Sequence, residues 1–231
     1  MRRRKDRVAQ EMLPFRPGRG GARKGAGRKP LGAKAGVTHS ARASLPVYCP
    51  AHVTLRLLEG LPPLRRIAVE TELRDVFCAM KERAGFKIVH YSIQSNHLHF
   101  IVEASGKEAL SRGMQALSIR IAKRLNRIWE RRGTIFKDRY HAQILRTPRQ
   151  VRNAIVYVLS NAWKHGCRIK AVLDRFASGW CFDGWRETVK VRNADHVEAP
   201  VEPPGTWLLG KGWRKHGRIR ITERALPSAL A

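Results

Sequence analysis

Acidic side chains are scarce in this chain: 18 Asp and Glu stand against 46 Lys and Arg, leaving a formal charge of +28 over 231 residues. Such a charge opposes compaction by self-repulsion unless a polyanion neutralises it, so the expected partner is nucleic acid rather than an acidic small molecule. Long apolar runs are missing too. No stretch approaches the roughly 18 residues of a membrane-spanning helix, and no continuous basic helix offers a large apolar face to a membrane surface. Cys49, Cys78, Cys167 and Cys181 are widely spaced, with no C-x-x-C pair to suggest zinc. After Met1-Arg2-Arg3-Arg4-Lys5 there is no apolar segment of the secretory kind. These absences point to a cytoplasmic, nucleoid-associated protein with reduced thiols. No internal repeat is evident.

The chain does have enough apolar content, 43%, to build a core for one catalytic domain with tails. Residues 1–46 are rich in Arg, Lys, Gly and Ala, as in Arg23-Lys24-Gly25-Ala26-Gly27-Arg28-Lys29-Pro30. A segment so poor in large apolar groups cannot offset its chain entropy, and is expected to be disordered when free. A folded domain is expected over 47–168. Residues 169–231 form a basic extension carrying Trp180, Trp185, Trp207 and Trp213.

Within the domain, His52-Val53-Thr54-Leu55-Arg56-Leu57 alternates as a strand, and Gly60, Pro62 and Pro63 break it. Ile67, Val69, Leu73, Val76, Phe77 and Met80 recur at helical spacing up to Gly85. Segments 86–94 and 97–103 read as a hairpin, 107–130 as a helix and 142–145 as a short strand. Thr147-Pro148 then supplies an N-cap and a first-turn proline for a helix reaching His165. The order β-α-β-β-α-β plus a helix predicts an α+β, ferredoxin-like (RRM-like) antiparallel sheet, with helices on one face and an appended C-terminal helix.

Two histidines stand out. In a strand, His97, His99 and Ile101 share one face while Leu98, Phe100 and Val102 share the other, so two imidazoles sit side by side and can hold a metal ion. On the last helix, Val151, Ile155, Val158 and Ala162 make an apolar stripe. Tyr157 lies roughly 130° from its centre, with Asn161 and Lys164 following at one-turn steps. A phenol, a carboxamide and an ammonium are thus expected together, away from the core.

His97-Leu98-His99 and Tyr157-Val158-Leu159-Ser160-Asn161, the form Tyr-x-x-x-Asn, together resemble the single-tyrosine HUH transposases, in particular the REP-associated tyrosine transposase branch. Ser95-Asn96, the segment Gly133 to Tyr140 and Thr147-Pro148 match as well, over roughly residues 50–168. Asn161-Ala162 departs from the Asn-Pro of many relatives. The resemblance implies that His97, His99 and Asn161 bind a divalent ion, Mg2+ or Mn2+, which polarises a phosphate. It also implies that Tyr157 cleaves and rejoins single-stranded DNA through a 5′-phosphotyrosine, beside a hairpin, in a monomer or homodimer. Arg120, Lys123, Arg124, Arg127, Arg131, Arg132 and Lys164 are the expected phosphate contacts.

Two other readings compete. His52-Val53-Thr54 is an H-x-T, half of the pair used by two-histidine phosphoesterases, but His97-Leu98-His99 does not complete it. A non-catalytic module that binds DNA or RNA hairpins uses the same sheet, yet this chain lacks the aromatic-rich strands of RNA-recognition folds.

Overall fold

The computed structural model describes residues 44–164, 173–189 and 198–224, with the side chains of 161–164 outside that description. The N-terminal tail up to residue 43 therefore lies outside the described residues, as do Cys167 and the side chains of Asn161 and Lys164. The elements run β1 (Ala51–Arg56), α1 (Ile67–Cys78), β2 (Phe86–Ile93), β3 (His97–Ala104), α2 (Lys107–Ile128), β4 (His141–Ile144), α3 (Pro148–Lys164) and a single turn α4 (Trp207–Gly210). The strands form one antiparallel sheet in the order β2-β3-β1-β4, the ferredoxin-like arrangement.

Strand alternation divides the sheet into two chemically different faces. Val53, Leu55, Leu98, Phe100 and Val102, all buried, point to one side. There Phe77 of α1 meets the rings of Tyr91 and Phe100, at centroid distances of 4.8 and 5.4 Å. Leu110, Met114, Leu117, Ile121 and Leu125 give α2 one buried stripe against the same side. Each such side chain fully removed from water contributes about 1.5–3 kcal/mol. Contact is closest at Gly113, where a Cβ would stand 2.2 Å from the Phe86 ring. The turns bounding the hairpin place Gly85 at φ +73° and Gly106 at +151°, conformations that disfavour side chains with a Cβ.

The other face carries His52, Thr54 and Arg56 from β1 beside Ile101, His99 and His97 from β3. A register shift between Ile88 and His90 inserts one residue into β2. Beyond it Tyr91 and Ile93 face α1, and Ser92 stands opposite His99.

Helix α3 covers this second face over β2 and β3. Thr147 Oγ1 accepts from the Gln150 N–H (3.2 Å) while Gln150 Oε1 accepts from the Thr147 N–H (3.2 Å), a reciprocal cap ahead of Pro148. The outer side of α3 is covered by residues 207–219, with Trp213 fully buried and Arg152 hydrogen-bonding to Gly217, Arg218 and Glu223. The extension also closes the free edge of β2. The Ile93 N–H donates to Phe176 O (2.8 Å), the Tyr91 N–H to Ser178 Oγ (3.0 Å) and the Glu202 N–H to Ile88 O (2.8 Å). Arg65 clamps Asp174 bidentately at 2.9 and 2.8 Å. Among the described residues no helix is long and apolar enough to cross a membrane.

Candidate active site

His97 and His99 project from the middle strand β3 on the face opposite α1 and α2, with ring centroids 4.7 Å apart at 86°. Asn96, just before the strand, accepts from His97 through its Oδ1, 2.8 Å from Nδ1. A carboxamide oxygen only accepts, so the proton of a neutral His97 resides on Nδ1 and the lone pair on Nε2. His99 is nearly fully buried. Its Nδ1 lies 3.1 Å from Thr54 Oγ1 and 3.2 Å from His52 Nε2.

Tyr157 closes the cluster. Its ring stands edge-on to His99 (5.1 Å, 80°) and to His52 (5.6 Å, 73°). The expectation that this phenol points away from the core is corrected: Tyr157 is half-buried against the histidine face. A helical wheel presumes one covered side, whereas α3 has two, the sheet and the 207–219 segment, and Tyr157 belongs to the side facing the sheet.

His52 went unassigned in the sequence except as half of an H-x-T motif. In the fold it stacks on His99, with ring centroids 5.2 Å apart and 27° between planes. Burial, reinforced by the neighbouring His141, pushes its pKa down to about 4, so the ring is neutral near pH 7. The available signal was the alternation of β1, which puts His52, Thr54 and Arg56 on one face; what it lacked was the register that sets this face beside the histidine pair.

The basic residues expected to touch phosphate separate into groups. Arg120, Lys123, Arg124 and Arg127 lie on α2, across the sheet from the histidines. Arg124 and Arg127 both hold Glu72 of α1, at 2.5 and 2.8 Å. Arg131 and Arg132 lead into a loop that ends beside the active face, where the Lys137 N–H donates to Arg56 O (2.9 Å) and Arg56 pairs with His97 across the strands. Lys164 lies outside the described side chains.

The donor chemistry fits a divalent ion. Two adjacent imidazoles offer ring-nitrogen lone pairs, that of His97 on Nε2, and Asn161 follows Tyr157 by one turn of α3. Among the described residues no cluster of three or more His, Cys, Asp or Glu gathers here. An ion held by two imidazoles and a carboxamide would take its remaining ligands from water.

Residues 52–161 match the family described as "Transposase IS200 like". No curated protein matches the chain. Among solved structures, a REP-associated tyrosine transposase bound to a REP hairpin superposes with a TM-score of 0.50 at 17% identity, over 62% of this chain and 83% of that one. A bacterial tRNA(His) guanylyltransferase-like protein in complex with GTP overlaps with a TM-score of only 0.36 at 14% identity, over 54% of this chain and 66% of that one. The matched segment opens at His52 on the first strand and closes at Asn161, one turn past Tyr157, and the sheet within it has the fold of the hairpin-bound transposase. Over this segment, just under half of its length, the chain is similar to the IS200-like transposases.

Proposed function

We propose that the protein cleaves and rejoins single-stranded DNA beside a hairpin, with Tyr157 as the nucleophile. The observation that carries this reading is the edge-on approach of the Tyr157 ring to His99, the more buried member of the pair on β3. His97, His99 and Asn161 would hold the divalent ion. When bound it supplies positive charge to the phosphate and to the oxygens that gain charge in the transition state.

Tyr157 forms a bond from its phenolic oxygen to phosphorus as the P–O3′ bond breaks, and its proton passes to solvent. The departing 3′ oxygen takes up a proton, leaving a 5′-phosphotyrosine and a free 3′-OH. One phosphodiester replaces another, so no external energy source is needed, and rejoining is the same step reversed. Attack in line with the leaving oxygen is easier on a flexible single strand than on a duplex. The described relative is bound to a REP hairpin, which supports a hairpin with single-stranded flanks as the substrate class.

The test is incubation of end-labelled hairpin DNA with the protein and Mn2+, followed by denaturing electrophoresis. A protein-DNA band that survives denaturation and is absent in Tyr157→Phe is the expected result. Hairpin binding with no adduct under any divalent ion would leave only the binding function.

A further inference from the structure

We propose that His52 and Thr54 are positioning residues, which together hold His99 in the tautomer that carries its proton on Nδ1 and so present its Nε2 lone pair as a ligand. The inference rests on the metal-binding reading of His99 given above. Three observations support it. First, Thr54 Oγ1 and His52 Nε2 both lie within hydrogen-bond distance of the same atom, His99 Nδ1, at 3.1 and 3.2 Å. Second, strand pairing imposes the arrangement: Thr54 stands opposite His99 across β1 and β3, and His52 is the next residue along the same face. Third, the His52 ring is locked between its stacking contact with His99 and its edge contact with Tyr157, so its Nε2 does not swing away.

An imidazole that ligates through Nε2 must be protonated on Nδ1, and that proton needs an acceptor. Thr54 supplies a hydroxyl lone pair. His52 supplies a ring lone pair when its own proton sits on Nδ1, leaving Nε2 bare. The proton on His99 Nδ1 is then shared between two acceptors, and the paired electron density makes His99 Nε2 the better donor. The same contacts give the H-x-T of β1 a role inside this site, rather than as half of a phosphoesterase.

The test is long-range 1H–15N correlation NMR on the full chain, without DNA or metal, to read which nitrogen of His99 carries the proton. A protonated Nδ1 with a bare Nε2 is expected; the reverse assignment in the wild type overturns the proposal without recourse to any variant. His52→Phe preserves the ring stack and removes the lone pair, Thr54→Val removes the hydroxyl, and His52→Gln restores an acceptor at the position of Nε2. With Mn2+ as the probe in titration calorimetry, the Phe and Val variants should bind about 10- to 100-fold more weakly, with His52→Gln recovering most of the loss. Unchanged affinity and tautomer in the His52→Phe, Thr54→Val double variant also overturns it. Neither readout involves cleavage, so a protein that shows the tautomer and binds Mn2+ but forms no DNA adduct refutes the proposed reaction and leaves this assignment standing.

Discussion

Tyr157 of α3 meets His99 of β3 edge to face, their centroids 5.1 Å apart, although α2 and β4 intervene in the sequence. A phenylalanine at 157 keeps that ring contact and loses only the hydroxyl. Tyr157→Phe is therefore expected to change unfolding free energy by less than about 1 kcal/mol, to bind hairpin DNA as the parent does and to form no covalent adduct. Urea titration, gel shift and denaturing electrophoresis of the same preparation check the three parts.

Removing the more exposed histidine should act on the ion alone. His97→Ala is expected to weaken Mn2+ binding at least 10-fold with little effect on stability, because its ring is only half-buried. Asn161→Ala should weaken it as well. Calorimetry that finds Asn161→Ala equal to the parent removes the carboxamide from the ligand set.

Two pairs of arginines should behave differently towards DNA. Arg124 and Arg127 hold Glu72 in the helical layer, so replacing both by Ala should leave the salt dependence of hairpin binding nearly unchanged. Arg131 and Arg132 begin the loop whose far end, at Lys137, bonds Arg56 beside His97, and the corresponding double variant should lower the slope of log K against log salt by about 1–2. Binding isotherms at four salt concentrations distinguish the outcomes; equal slopes for the two double variants would contradict the layering of the basic surface.

Gly113 leaves room for the Phe86 ring, and a Cβ there would come within 2.2 Å of it. Gly113→Ala gains helix propensity but overpacks the α2–β2 contact, with an expected net loss of about 1–3 kcal/mol. The urea midpoint of the variant measures it directly.

Acid should destabilise the fold before it protonates the core. Burial lowers the pKa of His90 from 6.5 to about 4, partly opposed by Asp183, and that of His52 to about 4. Each group stays neutral when folded while the unfolded chain takes up a proton near 6.5, so the unfolded state binds more protons in that window. Stability is then full above pH 6.5 and falls as the pH drops towards 4, by on the order of 3 kcal/mol per group. Urea midpoints between pH 7.5 and 4.5 should show this decline, and His90→Leu should remove part of its slope. A profile that does not steepen below pH 6.5 would argue against neutral buried histidines.

Most of the fold was legible because its signals are local. The α2 stripe of Leu110, Met114, Leu117, Ile121 and Leu125, the Thr147-Pro148 start of α3 and the alternation around His97 each specify an element within one or two residues of the observed bounds. Leu45 shows the limit of composition: although it follows a Gly- and Arg-rich run, its side chain is buried in the core. In the site, the histidine pair was legible from period-2 spacing and the nearness of Tyr157 only through the family resemblance. His52 and Thr54 were not, because their meaning depends on cross-strand register, which no local pattern encodes. The second cover on α3 was hidden for a like reason: Trp213, far downstream of the helix in sequence, lies buried beside it.

The extra residue at Val89 changes the parity of every position after it in β2. Counted straight through from Ile88, Tyr91 would fall opposite His99 and His90 opposite Phe100, so a second phenol would crowd the imidazoles and a polar ring would be forced among Phe77 and its neighbours. The kink sends that rival hydroxyl to the far layer and leaves small Ser92 in its place. Deleting Val89 would close the ladder with Tyr91 still opposite Phe100 and Ser92 still opposite His99; only a pairing that keeps Val89 in an unbroken ladder would turn Tyr91 onto the imidazoles. One irregular residue keeps the Tyr91 phenol off the histidine face.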